Sequence, residues 1–508
     1  MNKSKEKSRK NVRYTHSKRL FSLSVAVFCL STFCSCKPGP DGPITEDPEL
    51  KAACNYVGGA GCEATGGMGG SAYLVTMLED SVDPSTNKAV MGTLRYAVEA
   101  GDARMVMFRV SGIIHLKKPL EITKGNITIA GQTAPGDGIC LADYPLIIKG
   151  CSNVIVRFIR VRMGEKGSLE KDTEYDAVSV NNCEDVVLDH LSCSWSVDEC
   201  VSCYGNKRFT MQYCFVTESL RNSVHGKGNH GYGGIWGGEN VSFHHNLLAH
   251  HDSRNPRFDH DYVNTLAGPI DYVNNVVYNW GGNSAYGGEG STKGGGGRKI
   301  NFVNNYYKAG PATKSSIKYR LCNPTTRCSN CTNKLGGSVD PMKLWLEGNT
   351  MFGSEAVTAD NWQGIQPDEA AKLDDIKTAS PFNFESSIVS SAESADEALQ
   401  TVLTKGGCSL SRDAIDERIV GEVRNGNFTY NGTTSTGGLI DTPSDVGGWP
   451  EYRSAELPKD TDGDGIPDEW EEAHGLNPKS YADSKLESFV IGKTNLECYL
   501  CDIVKHLY

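Results

Sequence analysis

The strongest pattern along this chain is a short apolar segment that returns at nearly regular intervals. A hydrophobic residue, two further residues and an asparagine occur at Phe243–Asn246, Tyr272–Asn275, Phe302–Asn305 and Leu346–Asn349. The first two intervals are 29 and 30 residues, and the third is 44, as expected where one unit carries an additional loop. Similar segments without the asparagine precede them, at Val156–Ile159, Val187–His190 and Met211–Cys214. Such a period predicts a solenoid, because each unit can bury its apolar face only against its neighbours.

The repeat predicts an all-β fold, a right-handed single-stranded parallel β-helix with a small C-terminal tail of calcium loop and helix. Asn246, Asn275 and Asn305 should stack along one internal turn, where their amides satisfy backbone groups. The 56 glycines and the aromatic content of 8% agree with short strands and tight turns. An α/β fold with few repeats is the alternative. The expected boundaries are a signal peptide at 1–36, a flexible linker at 37–53, the β-helix at 54–455 and an EF-hand or dockerin-like tail at 456–508.

The N-terminal residues have the pattern of an export signal. A basic region runs through Arg19, and the apolar core Leu20–Phe33 is too short to span a bilayer. The core ends in Phe33-Cys34-Ser35-Cys36, which resembles the lipobox of bacterial lipoproteins and predicts lipidation at Cys36. We therefore expect an exported outer-membrane lipoprotein, at the cell surface or in the periplasm. Ordinary signal cleavage and a free secreted protein are the alternative.

The net charge and the cysteines indicate which partners and which cross-links the chain could have. The formal net charge is −11 and becomes −18 without residues 1–35, which carry eight Lys or Arg and one Glu. This balance argues against a nucleic-acid partner. Fifteen cysteines follow Cys36, and an exported chain could oxidise some of them. The best candidates for disulfides lie in turn-like sequence: Cys54 with Cys62, and Cys322, Cys328 and Cys331. A zinc site built on the 322–331 loop would lack a fourth ligand.

The C-terminal region carries a calcium-loop spacing. Oxygen-bearing side chains occupy positions 1, 3, 5, 9 and 12 of the loop, Gly465 stands at position 6 and a backbone carbonyl at position 7. This all-oxygen pattern suits the coordination of a hard cation. An acidic solvated turn is the alternative. The predicted ligands of this structural calcium are Asp460, Asp462, Asp464, Ile466 through its carbonyl, Asp468 and Glu471.

A second acidic group is expected inside the solenoid. Asp176 precedes one strand, and Asp198 and Glu199 come about one coil later. Carboxylates on adjacent coils lie about 4.8 Å apart along the axis, which is costly unless a cation neutralises them. Calcium is the predicted occupant, with solvated acids as the alternative. Arg254 and Arg257, two coils further on, offer the opposite charge, which suits a lyase acting by β-elimination on an anionic polysaccharide, although Arg254 could also only bind a carboxylate.

Several blocks together resemble the pectate lyase family, in particular its Bacteroidetes-type members, over roughly Gly58–Tyr508. They are NITIAGQTAPGDGI (126–139), LDH (188–190), SWSVDE (194–199), HGYGGIWGG (230–238), HHNLLAHHDSRNPRF (244–258) and GGWPEY (447–452). The resemblance implies that Arg254 is the catalytic base, that Arg257 and Lys227 bind substrate, and that Asp176 and Asp198 bind calcium. Where the family commonly has another acidic ligand, this chain has Ser202. Either Glu199 substitutes for that ligand, or calcium binds weakly until the substrate supplies oxygens.

The histidines offer a further alternative, a zinc hydrolase. Seven of them are candidates, but no HExxH spacing occurs. We expect His230 and His251 to lie near the cleft and contact substrate. The candidates are His190, His225, His230, His244, His245, His250 and His251.

The resemblance implies a pectate lyase that cleaves (1,4)-linked galacturonan by calcium-assisted β-elimination and releases unsaturated oligogalacturonides. The expected cofactor is Ca²⁺, the partners are polygalacturonate and a membrane through the lipid anchor, and the protein should be a monomer. A β-helix polygalacturonase is one alternative, but it requires paired carboxylates as acid and base. A non-catalytic pectin-binding β-helix is another.

Overall fold

Each recurring apolar segment forms a β-strand that pairs in parallel with its counterpart on the next coil. Met211 pairs with Phe243, Phe243 with Tyr272, Tyr272 with Phe302, and Phe302 with Leu346. Met211, Phe243, Tyr272 and Phe302 are buried in the interior, and Leu346 is partly buried against the same core. The parallel β-helix predicted from the repeat is therefore confirmed.

The computed structural model describes residues 44–259, 266–290, 296–326, 340–368 and 371–508, and Ile44–Tyr508 form one compact unit. The predicted signal peptide, Cys36, Cys328 and Cys331 lie outside the described residues. In the described part, no helix has both the length and the apolar character needed to cross a membrane.

The strands of the described residues, in chain order, are β1 (Ser71–Val75), β2 (Arg104–Phe108), β3 (Gly112–His115), β4 (Leu120–Ile122), β5 (Ile127–Ala130), β6 (Ile139–Ala142), β7 (Leu146–Lys149), β8 (Ser152–Arg157), β9 (Ile159–Arg162), β10 (Val178–Asn181), β11 (Glu184–Asp189), β12 (Ser192–Ser194), β13 (Val201–Gln212), β14 (Phe215–Thr217), β15 (Ile235–His244), β16 (Leu247–Ala249), β17 (Arg257–Phe258), β18 (Ile270–Val273), β19 (Val276–Tyr278), β20 (Ala285–Gly287), β21 (Lys299–Val303), β22 (Tyr306–Lys308), β23 (Cys322–Pro324), β24 (Lys343–Glu347) and β25 (Thr350–Met351). The α-helices there are α1 (Pro48–Cys54), α2 (Leu94–Glu99), α3 (Lys166–Lys171), α4 (Glu355–Ala359), α5 (Leu373–Ile376), α6 (Ala395–Lys405), α7 (Ala414–Asn425), α8 (Asp468–His474) and α9 (Asn495–Asp502).

The strands form three faces. One is a separate nine-stranded sheet that runs from β3 to β25. The other two merge into a sixteen-stranded sheet, because the long strands β13 and β15 each belong to both faces. Strand β13 pairs with β10 near its start and with β11 near its end, and β15 pairs in the same way with β17 and β18.

The predicted asparagine stack is present. The Nδ2 of Asn246 donates to Oδ1 of Asn275 over 3.0 Å, and Asn275 donates to Asn305 over 3.1 Å. The stack continues through Asn349 to Asn361, which the repeat pattern did not identify because it lies in a short 3₁₀ turn. Because each amide also donates to a backbone carbonyl, the row satisfies polar groups that the turn buries.

One predicted repeat is displaced by a residue. The structure pairs Leu188, rather than Val187, with Met211 and with Val156. The stack position is occupied by Leu191 in the coil of Leu188 and by Cys214 in the coil of Met211, so neither coil has an asparagine there. Instead, the backbone N–H of Leu191 donates to Sγ of Cys214 over 3.4 Å, and Cys214 N–H donates to Asn246. The thiol therefore takes the position of an amide at this level.

The linker predicted over 37–53 is wrong for its second half, because Pro48–Cys54 is helical. Asp47 caps α1 by accepting from two backbone N–H groups, and Pro48 occupies the first turn. Leu50 and Cys54 lie on one face and pack on α9. Cys54 consequently faces Cys498 and Cys501 instead of Cys62, and Cys54 and Cys62 are both free thiols.

Helices cover the nine-stranded sheet and leave another face open. Apolar residues of α6 and α7, including Val402 and Ile419, pack on Leu247 and Tyr278 of that sheet. Beneath these helices, Arg162 forms buried ion pairs with Asp413 at 2.7 Å and with Asp416 at 2.8 Å. The face that contains β7, β10 and β17 lacks such a helical cover in the described residues, and the candidate site lies where its strands begin.

Candidate active site and acidic clusters

Four consecutive coils place their functional residues side by side. The segments of Asp176, Asp198–Glu199, Tyr232 and Arg254 each end one residue or a few residues before a strand of the open face. Backbone hydrogen bonds connect neighbouring coils here, from Ala177 to Glu199, from Cys200 to Tyr232 and from Gly233 to Ser253. Arg254 therefore lies two coils from Asp198, as the sequence predicts.

The predicted acidic group is assembled. One oxygen each of Asp176, Asp198 and Glu199 lies within 4.8 Å of the others. Asp176 accepts from Ser179 Oγ over 2.8 Å and from the Glu199 backbone N–H over 3.0 Å. Burial and the nearby Asp198 carboxylate raise the pKa of Asp176 to about 7. The buried Ser202 hydroxyl supplies no charge, so these three carboxylates are the donors available to a cation at this point.

Arg254 reaches back over Tyr232 to the acidic group. Its backbone is left-handed, with φ of 57°, and its guanidinium carbon lies 4.4 Å from the centre of the Tyr232 ring. The guanidinium forms an ion pair with Glu199, and 23% of the Arg254 side chain is exposed. Glu199 is thus shared between the predicted cation site and the predicted base.

Arg257 is held by the protein itself. It binds Glu289 at 2.5 Å, and its guanidinium carbon lies 5.0 Å from the centre of the Tyr286 ring. Burial opposes its charge, but Glu289 and Tyr286 outweigh this effect and raise the pKa of Arg257. Glu289 and Tyr286 therefore fix Arg257 at the bend with 13% of its side chain exposed, and its role in binding the substrate carboxylate stays a prediction.

The other residues predicted to bind substrate differ in how far they are exposed. Lys227 lies at the rim, with 69% of its side chain exposed, and binds Glu174 at 2.5 Å. His230 lies 3.7 Å from Asp198. His251 is in the interior, where its two ring nitrogens contact Ser219 Oγ and the Val216 carbonyl, and burial lowers its pKa to about 3. The prediction that His251 contacts substrate does not hold, because the ring is fully buried.

Two residues of the cleft were not identified from the sequence. Arg221 points toward the same surface and lies 3.3 Å from Asp252, with about a quarter of its side chain exposed. Glu174, three coils before Arg254, binds Lys227. Neither belongs to a recognisable spacing, because loops of different length bring them to the strand ends.

The C-terminal loop forms a separate acidic cluster. One oxygen each of Asp462, Asp464, Glu471 and Asp483 lies within 4.8 Å of the others. Buried oxygens of all four lack hydrogen-bond partners among the described residues. Burial and the neighbouring carboxylates raise the pKa of Asp464 to about 7 and that of Glu471 to about 8. These oxygens have the chemistry of hard-cation ligands.

The structure revises the membership of this cluster. Asp483 lies beyond the loop, in a 3₁₀ turn, so the loop spacing could not identify it. Asp468 is outside this cluster, because its carboxylate binds Lys459 at 2.7 Å and accepts hydrogen bonds from Thr461. Asp460 accepts from the N–H groups of Gly463 and Gly465, and the side chain of Ile466 is buried against the first coils.

Comparison with known proteins adds an independent finding. No family model matches the sequence. The chain is 32% identical over 455 residues to a probable pectate lyase C of Aspergillus flavus, covering 89% of this chain and 93% of that protein. The corresponding protein of Emericella nidulans is 32% identical over 461 residues, with 89% and 92% covered. A solved pectate lyase bound to a hexasaccharide is 14% identical, with a TM-score of 0.46, covering 69% of this chain and 96% of that one.

Proposed function

The chain belongs to the pectate lyase family, and we propose from this premise that it cleaves (1,4)-linked galacturonan by calcium-assisted β-elimination, releasing unsaturated oligogalacturonides. One observation carries the proposal. Arg254 lies against the carboxylates of Asp176, Asp198 and Glu199 on an open face of the β-helix. An anionic chain lying across this face would meet a cation site and a guanidinium together.

Asp176, Asp198 and Glu199 are the residues that would hold calcium. Their all-oxygen donor set suits this ion, and burial together with the Asp198 carboxylate raises the pKa of Asp176, so a bound cation would lower the cost of its negative charge. Bound calcium would supply positive charge to the uronate carboxylate and make the adjacent C5 hydrogen more acidic.

The Glu199–Arg254 ion pair gives the chain's own contribution to the reaction. When Glu199 shares its charge with a bound cation, its hold on Arg254 weakens, and the guanidinium can turn toward the substrate. Only a neutral guanidine can accept a proton, so Arg254 acts as base after its guanidinium has lost one proton to solvent. Arg254 then takes the C5 proton, the C–H electrons form the C4–C5 double bond, and the bond from C4 to the glycosidic oxygen breaks, so that this oxygen takes a proton from water. Tyr232 positions Arg254 through its ring face.

The assay is the release of ultraviolet-absorbing unsaturated ends from polygalacturonate, with and without chelator. We expect absorbance to rise only in the presence of calcium. Saturated reducing ends without this absorbance would contradict the lyase and favour the polygalacturonase alternative. Binding of polygalacturonate without any new ends would favour the binding-module alternative.

We also propose that calcium occupies the tail cluster of Asp462, Asp464, Glu471 and Asp483 and has a structural role there. Its support is the set of buried carboxylate oxygens that lack partners among the described residues. Asp460 organises the loop by accepting backbone N–H groups. This site lies on the first coils and is not part of the candidate active site.

For localisation, we propose export with a lipid anchor at Cys36 and a monomeric protein. The support is the basic region, the short apolar core and the Ser35-Cys36 pair. Cys36→Ser should move the protein from the membrane fraction to the soluble fraction. A wild-type protein that is already soluble and lacks a lipid would contradict the anchor.

A further inference from the structure

A second set of ligand atoms converges beside the acidic group. Asp198, His225 and His230 each offer one atom, and these atoms lie within 4.8 Å of one another. Nε2 of His225 is 3.7 Å from Oδ2 of Asp198, and Nε2 of His230 is 3.7 Å from Oδ1. These separations are too long for hydrogen bonds. They are close to the roughly 3.3 Å between two ligands of a tetrahedral ion whose bonds are about 2.0–2.1 Å long.

The hydrogen bonding of His230 leaves a lone pair facing a carboxylate. Its Nδ1 lies 3.3 Å from the Gly228 carbonyl oxygen, which can only accept, so the imidazole proton belongs on Nδ1. Nε2 therefore presents its lone pair to Oδ1 of Asp198, an atom that has no hydrogen-bond partner among the described residues. Two acceptors that face each other, one of them a buried carboxylate oxygen, are unfavourable unless a cation lies between them.

His225 completes the set. Its side chain is fully buried, its ring stacks on His230 with centroids 3.3 Å apart, and its Nε2 has no partner in the described part of the chain. On the other side of the ring, Oε1 of Glu174 lies 3.5 Å from Nδ1, where a carboxylate orients a metal-binding imidazole. The Lys227 backbone N–H donates to this Nδ1, so the ring without an ion carries its proton on Nε2. An ion bound at Nε2 would require that proton to lie on Nδ1 instead, toward Glu174.

We propose that Asp198, His225 and His230 bind a divalent transition-metal ion of borderline softness, such as Zn²⁺, beside the calcium site. Two imidazole nitrogens with one carboxylate favour such an ion, whereas the three carboxylates of the neighbouring group favour calcium. Asp198 belongs to both sets, so the two ions compete for it. Only this competition rests on the calcium proposed above; the binding of Zn²⁺ itself does not.

The test is binding of Zn²⁺ alone to the full chain in calcium-free buffer, followed by calorimetry, and of Co²⁺ followed by its visible absorption. We expect the double variant His225→Ala/His230→Ala to weaken binding at this site by at least about 100-fold and to remove the visible bands. Bands from thiolate ligands differ by their intense near-ultraviolet charge transfer, so any binding at the cysteines is separated. Glu174→Gln, which keeps all three ligands, should weaken binding by about tenfold.

His115→Ala is the matched control, because His115 is exposed and lies 3.0 Å from a carboxylate without a second histidine in the cluster. It should bind Zn²⁺ as the wild type does. Should the double variant fail to fold, His225→Asn/His230→Asn retains polar side chains and serves instead. Unchanged Zn²⁺ affinity and Co²⁺ spectra in the folded double variant would overturn the proposal, as would a wild-type protein without a histidine-dependent site. Since no step reads lyase activity, this outcome is independent of the proposed reaction.

Discussion

At the scale of single residues, the guanidinium of Arg254 is the group whose replacement separates catalysis from binding. Arg254→Lys keeps a positive charge but replaces the planar guanidinium that reaches over Tyr232 by a compact ammonium. We expect kcat to fall by roughly 100-fold or more while KM changes little. Steady-state kinetics on polygalacturonate measure this. Arg208→Lys, which changes an exposed arginine paired with Asp185, is the control and should keep full activity. An Arg254→Lys enzyme with wild-type kcat would remove Arg254 from the chemistry.

Glu199 is the residue that couples the cation site to Arg254. Glu199→Gln removes one charged ligand and also the ion pair. We expect the calcium concentration for half-maximal rate to rise by about tenfold, while the rate at saturating calcium stays within a few-fold of wild type. Calcium titrations of the initial rate test this. A kcat that collapses at every calcium concentration would instead mean that Glu199 positions Arg254 during the reaction.

Residues whose chemistry is local to a motif were predictable, and those brought in by loops were not. The bend around Arg254 and the acids at 176 and 198–199 follow from motif and repeat. The pairing of Arg257 with Glu289 could not be predicted from the bend itself, because Glu289 lies 32 positions further on. Asp483 and Glu174 reach their clusters only through tertiary packing, and nothing in their immediate sequence indicates it.

At the scale of elements, the asparagine stack should carry a measurable part of the stability. Asn275 is fully buried and bonded to amides on both sides, so Asn275→Ala leaves donors and acceptors unsatisfied on two neighbouring coils. We expect a loss of about 3 kcal/mol in the free energy of unfolding, since each unsatisfied buried group costs about 1–3 kcal/mol. Denaturant unfolding measures the change. Asn425→Ala, at the exposed end of α7, is the matched control and should be nearly neutral. A similar small effect at Asn275 would show that the row is dispensable.

The strand repeat predicted this element correctly where asparagine marks the turn, and failed where another side chain does. Val187 was aligned in place of Leu188 because no asparagine fixes the register of that coil. Helix α1 was missed because the Pro-rich, acidic composition around it is typical of a tether. Its cap and its apolar face become decisive only once α9 is present to pack against.

At the scale of the whole molecule, the tail cluster should make stability depend on pH and calcium together. The folded pKa values of Asp464 and Glu471, about 7 and about 8, lie above their ordinary values because of burial and neighbouring carboxylates. Without calcium, these groups therefore stabilise the fold at low pH, and this stabilisation is lost as pH rises from about 4 through 8. Calcium should reverse the loss, by about 2.7 kcal/mol at 100 times its Kd.

Thermal unfolding in chelator and in calcium, from pH 5 to pH 9, measures this linkage. We expect the Tm gain from calcium to be largest above pH 8. Asp464→Asn/Glu471→Gln should reduce both the pH dependence and the gain to the part that Asp176 and its neighbours contribute. Asp468→Asn, whose carboxylate binds Lys459 and Thr461 outside the cluster, should leave both at the wild-type level. An equal calcium gain in both variants would locate the effect elsewhere, for example at Asp176 and its neighbours.

The packing of α1 on α9 has a mechanical consequence. Leu50 and Cys54 pack against Cys498 and Cys501, and the Asp47 backbone N–H donates to the Phe489 carbonyl. Tension applied at residue 44 therefore enters the molecule as shear across a helix pair, and strand β1 is not peeled away from β2. An enzyme tethered by its N-terminal end while it grips a long polymer would experience such tension. Helices α1 and α9, packed together over the first coils, would take up part of that force before it acted on the cleft.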